Sequence, residues 1–325
     1  MNKPVNIFIA DDVHRAGIIY LNKYFNVFDL KDLNNNKLLK QINLISADNL
    51  LIPSALVIRS TRKIDKNFLS EVKKKSNLKL ICTVSTGYDN IDILNSAKFG
   101  IDIMNVAGAN CIAAAEFTIG MILASVKEII KADHIVKKGE FDASGFRNTE
   151  LAGKTIGIIG VGRIGSRVAE ISKAFGMKIA GNDINPAVKK KYRYINFCSI
   201  KKLLENSDIV TVHTPLDSST RYLLNKSNLK YIKNNSVLIN CARGGIVEES
   251  ALINEVKKGR IRYAAIDVFE NEPRVNKKLL KLKNIILTPH LAGKTLESKE
   301  AMAVKAAKKI AEYFLFPGKR SKLIN

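Results

Sequence analysis

Cysteine is scarce: Cys82, Cys111, Cys198 and Cys241 lie far apart in 325 residues, with no CxxC or CxxH spacing. That spacing excludes a disulfide scaffold, a zinc site and a redox pair, and no metal is expected. Long apolar runs are missing too. The stretch from Thr118 to Val126 falls well short of the roughly 20 residues that cross a bilayer. The run from Ile7 to Ala10 meets two aspartates at once, so neither a transmembrane helix nor a secretory signal is expected and the protein is placed in the cytoplasm. Acidic residues are also few, 30 against 53 Lys and Arg, for a formal charge of +23. Such a charge points first to nucleic acid or an anionic membrane. Its make-up argues otherwise, because 40 Lys, 13 Arg and 30 Asn scatter through every segment. Neither nucleic acid nor membrane is therefore an expected partner, although the field helps recruit an anionic substrate and cofactor.

What is present describes a folded chain. Hydrophobic residues make up 46% and charged residues 26%, which excludes disorder, and the length suits two domains. Short β-branched runs alternate with helical patterns, the signature of α/β architecture with parallel sheets. Strands are expected at Val5–Ala10, Ala55–Ser60, Leu78–Ser85 and Ile101–Val106. A single long connecting helix is expected from Cys111 to Lys138. Six further strands follow, at Lys154–Gly160, Lys178–Asp183, Asp208–His213, Ser236–Cys241, Tyr263–Val268 and Asn284–Pro289. The last helix, from Leu296 to about Phe316, has no sheet of its own and is expected to return to the first domain. The expected fold is two doubly wound parallel-sheet domains flanking a cleft. One is a flavodoxin-like substrate domain, residues 1–106 and 292–325, and the other a Rossmann-type cofactor domain, residues 107–291.

The strongest local motif is GVGRIG, Gly160 to Gly165, directly after a strand and before a helix. Gly160 permits the tight turn, Gly162 lets the backbone approach a pyrophosphate, and Gly165 allows close helix packing. Asp183 ends the next strand, where a carboxylate accepts hydrogen bonds from a ribose. Ile184 and Asn185 follow it in place of an arginine, so a 2′-phosphate would meet negative charge with no cation nearby. NAD is favoured over NADP.

Downstream come INCARGGIVEESAL, AIDVFENEP and ILTPHLAG. With STGYDNID, ELAGKTIGIIGVGRIG and VTVHTPL, these resemble the D-isomer-specific 2-hydroxyacid dehydrogenases over nearly the whole chain, and within them the 3-phosphoglycerate dehydrogenases. The residues also make chemical sense unaided. Reduction of a 2-keto acid needs a cation for its carboxylate and carbonyl, which Arg243 offers as a planar fork of donors. It needs a proton donor for the developing alkoxide, a role suited to His290 at a strand's carboxyl end. Glu272, on a nearby loop, is the natural partner to orient that ring and favour its protonated form.

The resemblance implies these same catalytic roles and gives Asp267 to the nicotinamide carboxamide. It implies that Thr86, Arg163, Ile164, His213, Thr214, Pro215, Cys241, Ala242 and Gly293 line the cofactor. It further implies that the turn Ser85, Thr86, Gly87 offers amides to the substrate carboxylate, and that Arg59, with Ser60, meets a substrate phosphate. Arg62 and Lys63 either add charge there or face solvent. A homodimer through the cofactor domain and the connecting helix is implied as well, and feedback by serine through an added C-terminal domain is not expected. Hydroxypyruvate or glyoxylate reduction is the alternative within the class. A non-enzymatic NAD(H) sensor, like the corepressors that share this fold, is the alternative outside it.

Overall fold

The computed structural model describes residues 5–47, 49–316 and 323–324. Two compact units appear, one formed by the chain up to Asn110 and again from Lys294, the other by Cys111–Gly293. The sequence reading sets these divisions at 106/107 and 291/292. Residues 1–4, 48, 317–322 and 325 of the expected substrate domain lie outside the described residues.

The first unit holds strands β1 (Asn6–Ile9), β2 (Asn26–Asp29), β3 (Pro53–Ile58), β4 (Asn77–Thr83) and β5 (Asp102–Asn105). All are parallel, in the order β2-β1-β3-β4-β5. Strand β1 is buried throughout and β3 nearly so, as expected for parallel strands covered on both faces. Strand β2 is not among the expected strands. Its four residues, NVFD, are only partly covered, and pairing with β1 at the sheet edge, not an apolar run, makes it a strand.

The final helix, Leu296–Leu315, packs on this unit. Ala303, Ala306, Ala307 and Ile310 join Leu21, Phe25, Leu80 and Met104 in one core. Gly17 permits the approach, since a Cβ there would lie 2.7 Å from the Ala303 carbonyl oxygen. Lys305, Lys309 and Tyr313, four residues apart and so on one face, donate to the Ala107 and Asn105 carbonyls and the Asp102 carboxylate at 2.9, 2.9 and 2.7 Å.

The second unit holds β6 (Thr155–Ile159), β7 (Lys178–Asn182), β8 (Asn196–Phe197), β9 (Ile209–Val212), β10 (Ser236–Asn240), β11 (Ile261–Ile266) and β12 (Ile285–Leu287). The parallel sheet runs β12-β11-β10-β9-β6-β7-β8. Its order reverses between β6 and β9, the switch point at which doubly wound sheets bind ligands. Strand β8 is unexpected, being two residues inside the basic, aromatic tract Lys189–Ser199. The expected single helix from Cys111 to Lys138 is in fact two, Cys111–Val126 and Ile129–Lys137. The first is apolar and largely buried, whereas the second has no buried residue. Between them Glu128 turns the chain at φ 48°. Its buried carboxylate accepts from the Arg147 amide and from Lys131 Nζ, both at 3.1 Å.

Candidate active site

Three loops leave the carboxyl ends of β10, β11 and β12 and carry Arg243, Glu272 and His290. Buried Asn240 ties down the first, accepting from the Ala242 amide at 3.1 Å and donating to the Arg243 carbonyl at 3.0 Å. Gly244 then lets the turn lie against the second loop, because a Cβ there would fall 1.9 Å from the Phe269 carbonyl oxygen. Glu272 accepts from the Phe269 amide at 3.0 Å through Oε1, and its Oε2 sits 2.8 Å from His290 Nδ1.

Burial acts to raise the Glu272 carboxyl, but the hydrogen bond and charge of His290, the Phe269 amide and the Arg243 charge together hold it below its ordinary value. Glu272 is therefore ionised at neutral pH and accepts a hydrogen bond from Nδ1–H. That leaves Nε2 as the nitrogen able to exchange a proton with a ligand. The histidine backbone is held at φ 55°, a left-handed conformation that a non-glycine residue keeps only where its surroundings impose it. Asp267 imposes it. This fully buried carboxylate accepts from Thr288 Oγ1 at 2.6 Å, Leu291 N at 2.8 Å and Ala292 N at 2.9 Å, and its carbonyl accepts from His290 N at 2.9 Å. The resemblance gives Asp267 to a nicotinamide carboxamide; in the structure its carboxylate is committed to the His290 loop.

His213 differs from His290. Its Nε2 lies 3.0 Å from the hydroxyl of buried Thr211, and loss of solvation pushes its pKa down to about 4, so it is neutral at pH 7. Cys241, between Asn240 and Ala242, has its thiol pushed up by burial, then by the Asp267 charge, and stays protonated.

At the switch point the glycine turn is shaped to receive a ligand. Gly160 has φ +88°, and a Cβ there would lie 2.8 Å from the His213 backbone and 2.9 Å from Thr214 Cγ2. A Cβ at Gly165 would lie 2.1 Å from the Gly160 carbonyl oxygen, yet one at Gly162 would meet nothing within 4 Å. Gly162 thus faces open space, at the start of the helix Arg163–Ala174, with no side chain capping it. The first amides of that helix, those of Arg163 and Ile164, form an anion-accepting end. Beside this turn, Thr214 Oγ1 is buried without a partner. Open space, uncapped amides and an orphaned hydroxyl fit a dinucleotide. Asp183 accepts from Val161 N and Asn185 N, each at 2.8 Å, so it also fastens the glycine turn to β7. Pro215 is exposed just beyond β9, and Gly293 closes the unit.

In the first unit, the turn after β4 uses its side chains internally. Ser85 Oγ bonds Thr83 Oγ1 at 2.7 Å and the Gly87 carbonyl at 2.5 Å, while Thr86 Oγ1 donates to Asn110 at 2.7 Å. Asn105 holds the Thr86 carbonyl at 2.6 Å. Among the described residues the amides of Ser85, Thr86 and Gly87 donate no hydrogen bond, which leaves them for a carboxylate. Arg59 and exposed Ser60 follow β3. Arg62 corrects both sequence readings. It neither faces solvent nor adds free charge, since it is 10% exposed and paired with Asp11 at 2.8 Å. Asn240, Thr288, Asp11 and Asn90 are missing from the sequence-derived site, because polar residues at strand ends carry no pattern until the loops they hold are folded.

The glycine turn lies at the switch point of a doubly wound sheet, and a histidine, a glutamate and an arginine stand on loops beyond the carboxyl ends of its strands. Residues 119–292 match the model of the D-isomer specific 2-hydroxyacid dehydrogenase NAD binding domain. The chain is 35% identical to a glyoxylate reductase of Thermococcus litoralis, over 96% of this chain and 94% of that one. It is 37% identical to a D-3-phosphoglycerate dehydrogenase of Methanocaldococcus jannaschii, over 94% of this chain but only 57% of the longer relative. Among solved structures it resembles a glyoxylate reductase from Paecilomyes thermophila, with TM-score 0.87, 25% identity and coverage of 100% and 99% of the two chains. The chain belongs to the D-isomer-specific 2-hydroxyacid dehydrogenase family, and residues 119–292 are its NAD-binding domain.

Proposed function

We propose that this protein interconverts a D-2-hydroxyacid and its 2-keto acid with NAD, and that the pair is 3-phosphoglycerate and 3-phosphohydroxypyruvate, at the entry to serine biosynthesis. The observation that carries the reaction is the 2.8 Å contact between His290 Nδ1 and Glu272, with the Arg243 charge bearing on the same carboxylate. The dinucleotide supplies or accepts the hydride. His290 gives a proton from Nε2 to the developing alkoxide and takes it back in the reverse direction. Glu272 fixes the ring and its tautomer, and Arg243 binds the substrate's carboxylate and carbonyl. Gly160, Gly162, Arg163, Ile164 and Gly165 take the pyrophosphate, Asp183 the ribose, and His213, Thr214, Pro215, Cys241, Ala242, Gly293 and Thr86 line the remainder, while buried Asp267 stays behind them on the His290 loop. Ser85 and Gly87 offer amides to the carboxylate.

Arg59 supports the phosphorylated substrate. A phosphate needs a cation beyond Arg243, and Arg59 follows the central strand β3, with no partner for its guanidinium among the described residues. Glyoxylate or hydroxypyruvate reduction is the second reading, supported by the glyoxylate reductase of Thermococcus litoralis among its relatives. The chain spans nearly all of the Thermococcus litoralis glyoxylate reductase but about half of the phosphoglycerate dehydrogenase. NADH oxidation followed by absorbance across 3-phosphohydroxypyruvate, hydroxypyruvate and glyoxylate tests all of this. Reduction of glyoxylate alone installs the second reading, and NADH binding without turnover of any acid installs the sensor. A cytoplasmic homodimer completes the proposal, supported by exposed Ile129, Ile130 and Val136 on the helix Ile129–Lys137. A monomer mass in light scattering at micromolar concentration would remove the dimer.

A further inference from the structure

The β3 loop contains a polar network that the catalytic reading leaves unused, and it lies where the first sheet reverses its order, between β1 and β3. Asp11, just after β1, uses Oδ2 to accept the Arg59 amide at 2.7 Å. Its Oδ1 takes Arg62 Nε at 2.9 Å and Nη2 at 2.8 Å. The rest of the Arg62 fork is spent as well, on Asn35 Oδ1 at 2.8 Å and on the Ala10 and Leu33 carbonyls at 2.7 and 2.9 Å. From the other side Asn90 Nδ2 donates to the Arg62 carbonyl at 2.6 Å and the Arg59 carbonyl at 3.3 Å. The Arg59 peptide is therefore gripped at both its N–H and its C=O. Its guanidinium makes no hydrogen bond or ion pair among the described residues.

The charges explain why the network is built this way. Asp11 accepts the Arg59 amide, so with its charge left unpaired it would compete for the Arg59 side chain. Arg62 is planar, always charged and suited to fork pairing, and it satisfies Asp11 first. We infer that Asp11, Arg62 and Asn90 form a positioning clamp that holds the Arg59 backbone and keeps its cation available for a substrate phosphate, and so sets selectivity for phosphorylated 2-keto acids. This rests on Arg59 being the phosphate anchor. Arg62 is then a positioning residue, acting through Asp11.

The test compares KM and kcat for 3-phosphohydroxypyruvate and for glyoxylate in full-length variants whose folding is checked by thermal denaturation. Arg62→Met frees Asp11 and should raise KM for the phosphorylated acid about tenfold, with kcat and the glyoxylate constants within about twofold of wild type, since one charge-assisted contact is worth that much. Adding Asp11→Asn keeps an oxygen for the Arg59 amide, removes the competing charge, and should restore most of the loss. This double variant carries no unpaired buried charge, so it is informative even where Arg62→Met unfolds. Asn90→Ala should give the same selectivity at a few-fold. An Arg62→Met effect equal on both acids, or a loss that Asp11→Asn deepens, overturns the clamp. Arg59→Ala separates the two ideas. Selective loss there without selective loss in Arg62→Met sinks the clamp alone, whereas an Arg59→Ala variant that keeps wild-type selectivity sinks the phosphate-anchor reading and the clamp with it.

Discussion

In the cofactor unit the side chains of the proposed chemistry act on one another. His290 meets Glu272 at 2.8 Å, the Arg243 charge bears on the same carboxylate, and buried Asn240 and Asp267 hold the loops beneath. In the other unit Arg59 is held only through its backbone, and its head group has no partner among the described residues. Both sets sit at the carboxyl ends of parallel strands, the Arg59 loop at the reversal between β1 and β3 and the other three loops on the β10-β11-β12 side of the second sheet. With the proposed roles, the difference separates chemistry from recognition. A proton donor must be oriented before its ligand arrives, so its partners are protein groups. A recognition cation must be held in place but left unpaired, because a protein counterion would compete with the ligand.

The largest expected effect tests the first half of this contrast. His290→Ala lowers turnover by about a hundredfold to ten-thousandfold for every keto acid, the range of a positioned proton donor, while NADH affinity measured by fluorescence titration stays near wild type. Retained turnover would move the acid elsewhere, and His213, with its pKa near 4, is poorly suited to replace it. Next comes Arg59→Ala, which weakens kcat/KM for 3-phosphohydroxypyruvate by roughly ten to a hundredfold and that for glyoxylate far less, since a charge-assisted bond is worth about 1.5–3 kcal/mol. Equal losses would place Arg59 with the shared chemistry and erase the contrast.

Glu272→Gln moves the pH profile of keto-acid reduction to lower pH by about one unit. The substitution removes a carboxylate that is held below its ordinary value, and so ionised, against Nδ1; an unmoved profile removes Glu272 from the mechanism. The smallest effect concerns cofactor choice. Asp183→Ala narrows the preference for NADH over NADPH by only a few-fold, because the same substitution frees the Val161 amide and loosens the turn for both cofactors. Steady-state KM values for the two cofactors check this, and a wild type that uses both equally would assign selection to another residue.

Much of this was legible beforehand because the signals are local. Glycines at 160, 162 and 165 between a strand and a helix, and Arg243, Glu272 and His290 beyond strand ends, can be placed from the chain alone. The missing strands show the limit. β2 and β8 have no apolar run, and each becomes a strand only because a neighbour offers hydrogen bonds at a sheet edge. The split at Glu128 was equally hidden, since the turn there is tied to the Arg147 amide, nineteen residues on.

The sequence by itself determined the class of fold, the cofactor turn and which candidate groups stand beyond the strand ends, because hydrophobic period and glycine placement act over a few residues. Tertiary structure alone decided what those groups are bonded to. It committed Asp267 to the His290 loop, turned Arg62 from a surface cation into the partner of Asp11, and left Arg59 unpaired. Each of these bonds joins side chains or amides from 20 to more than 50 residues apart, and only the closing of the sheets brings such groups within 3 Å.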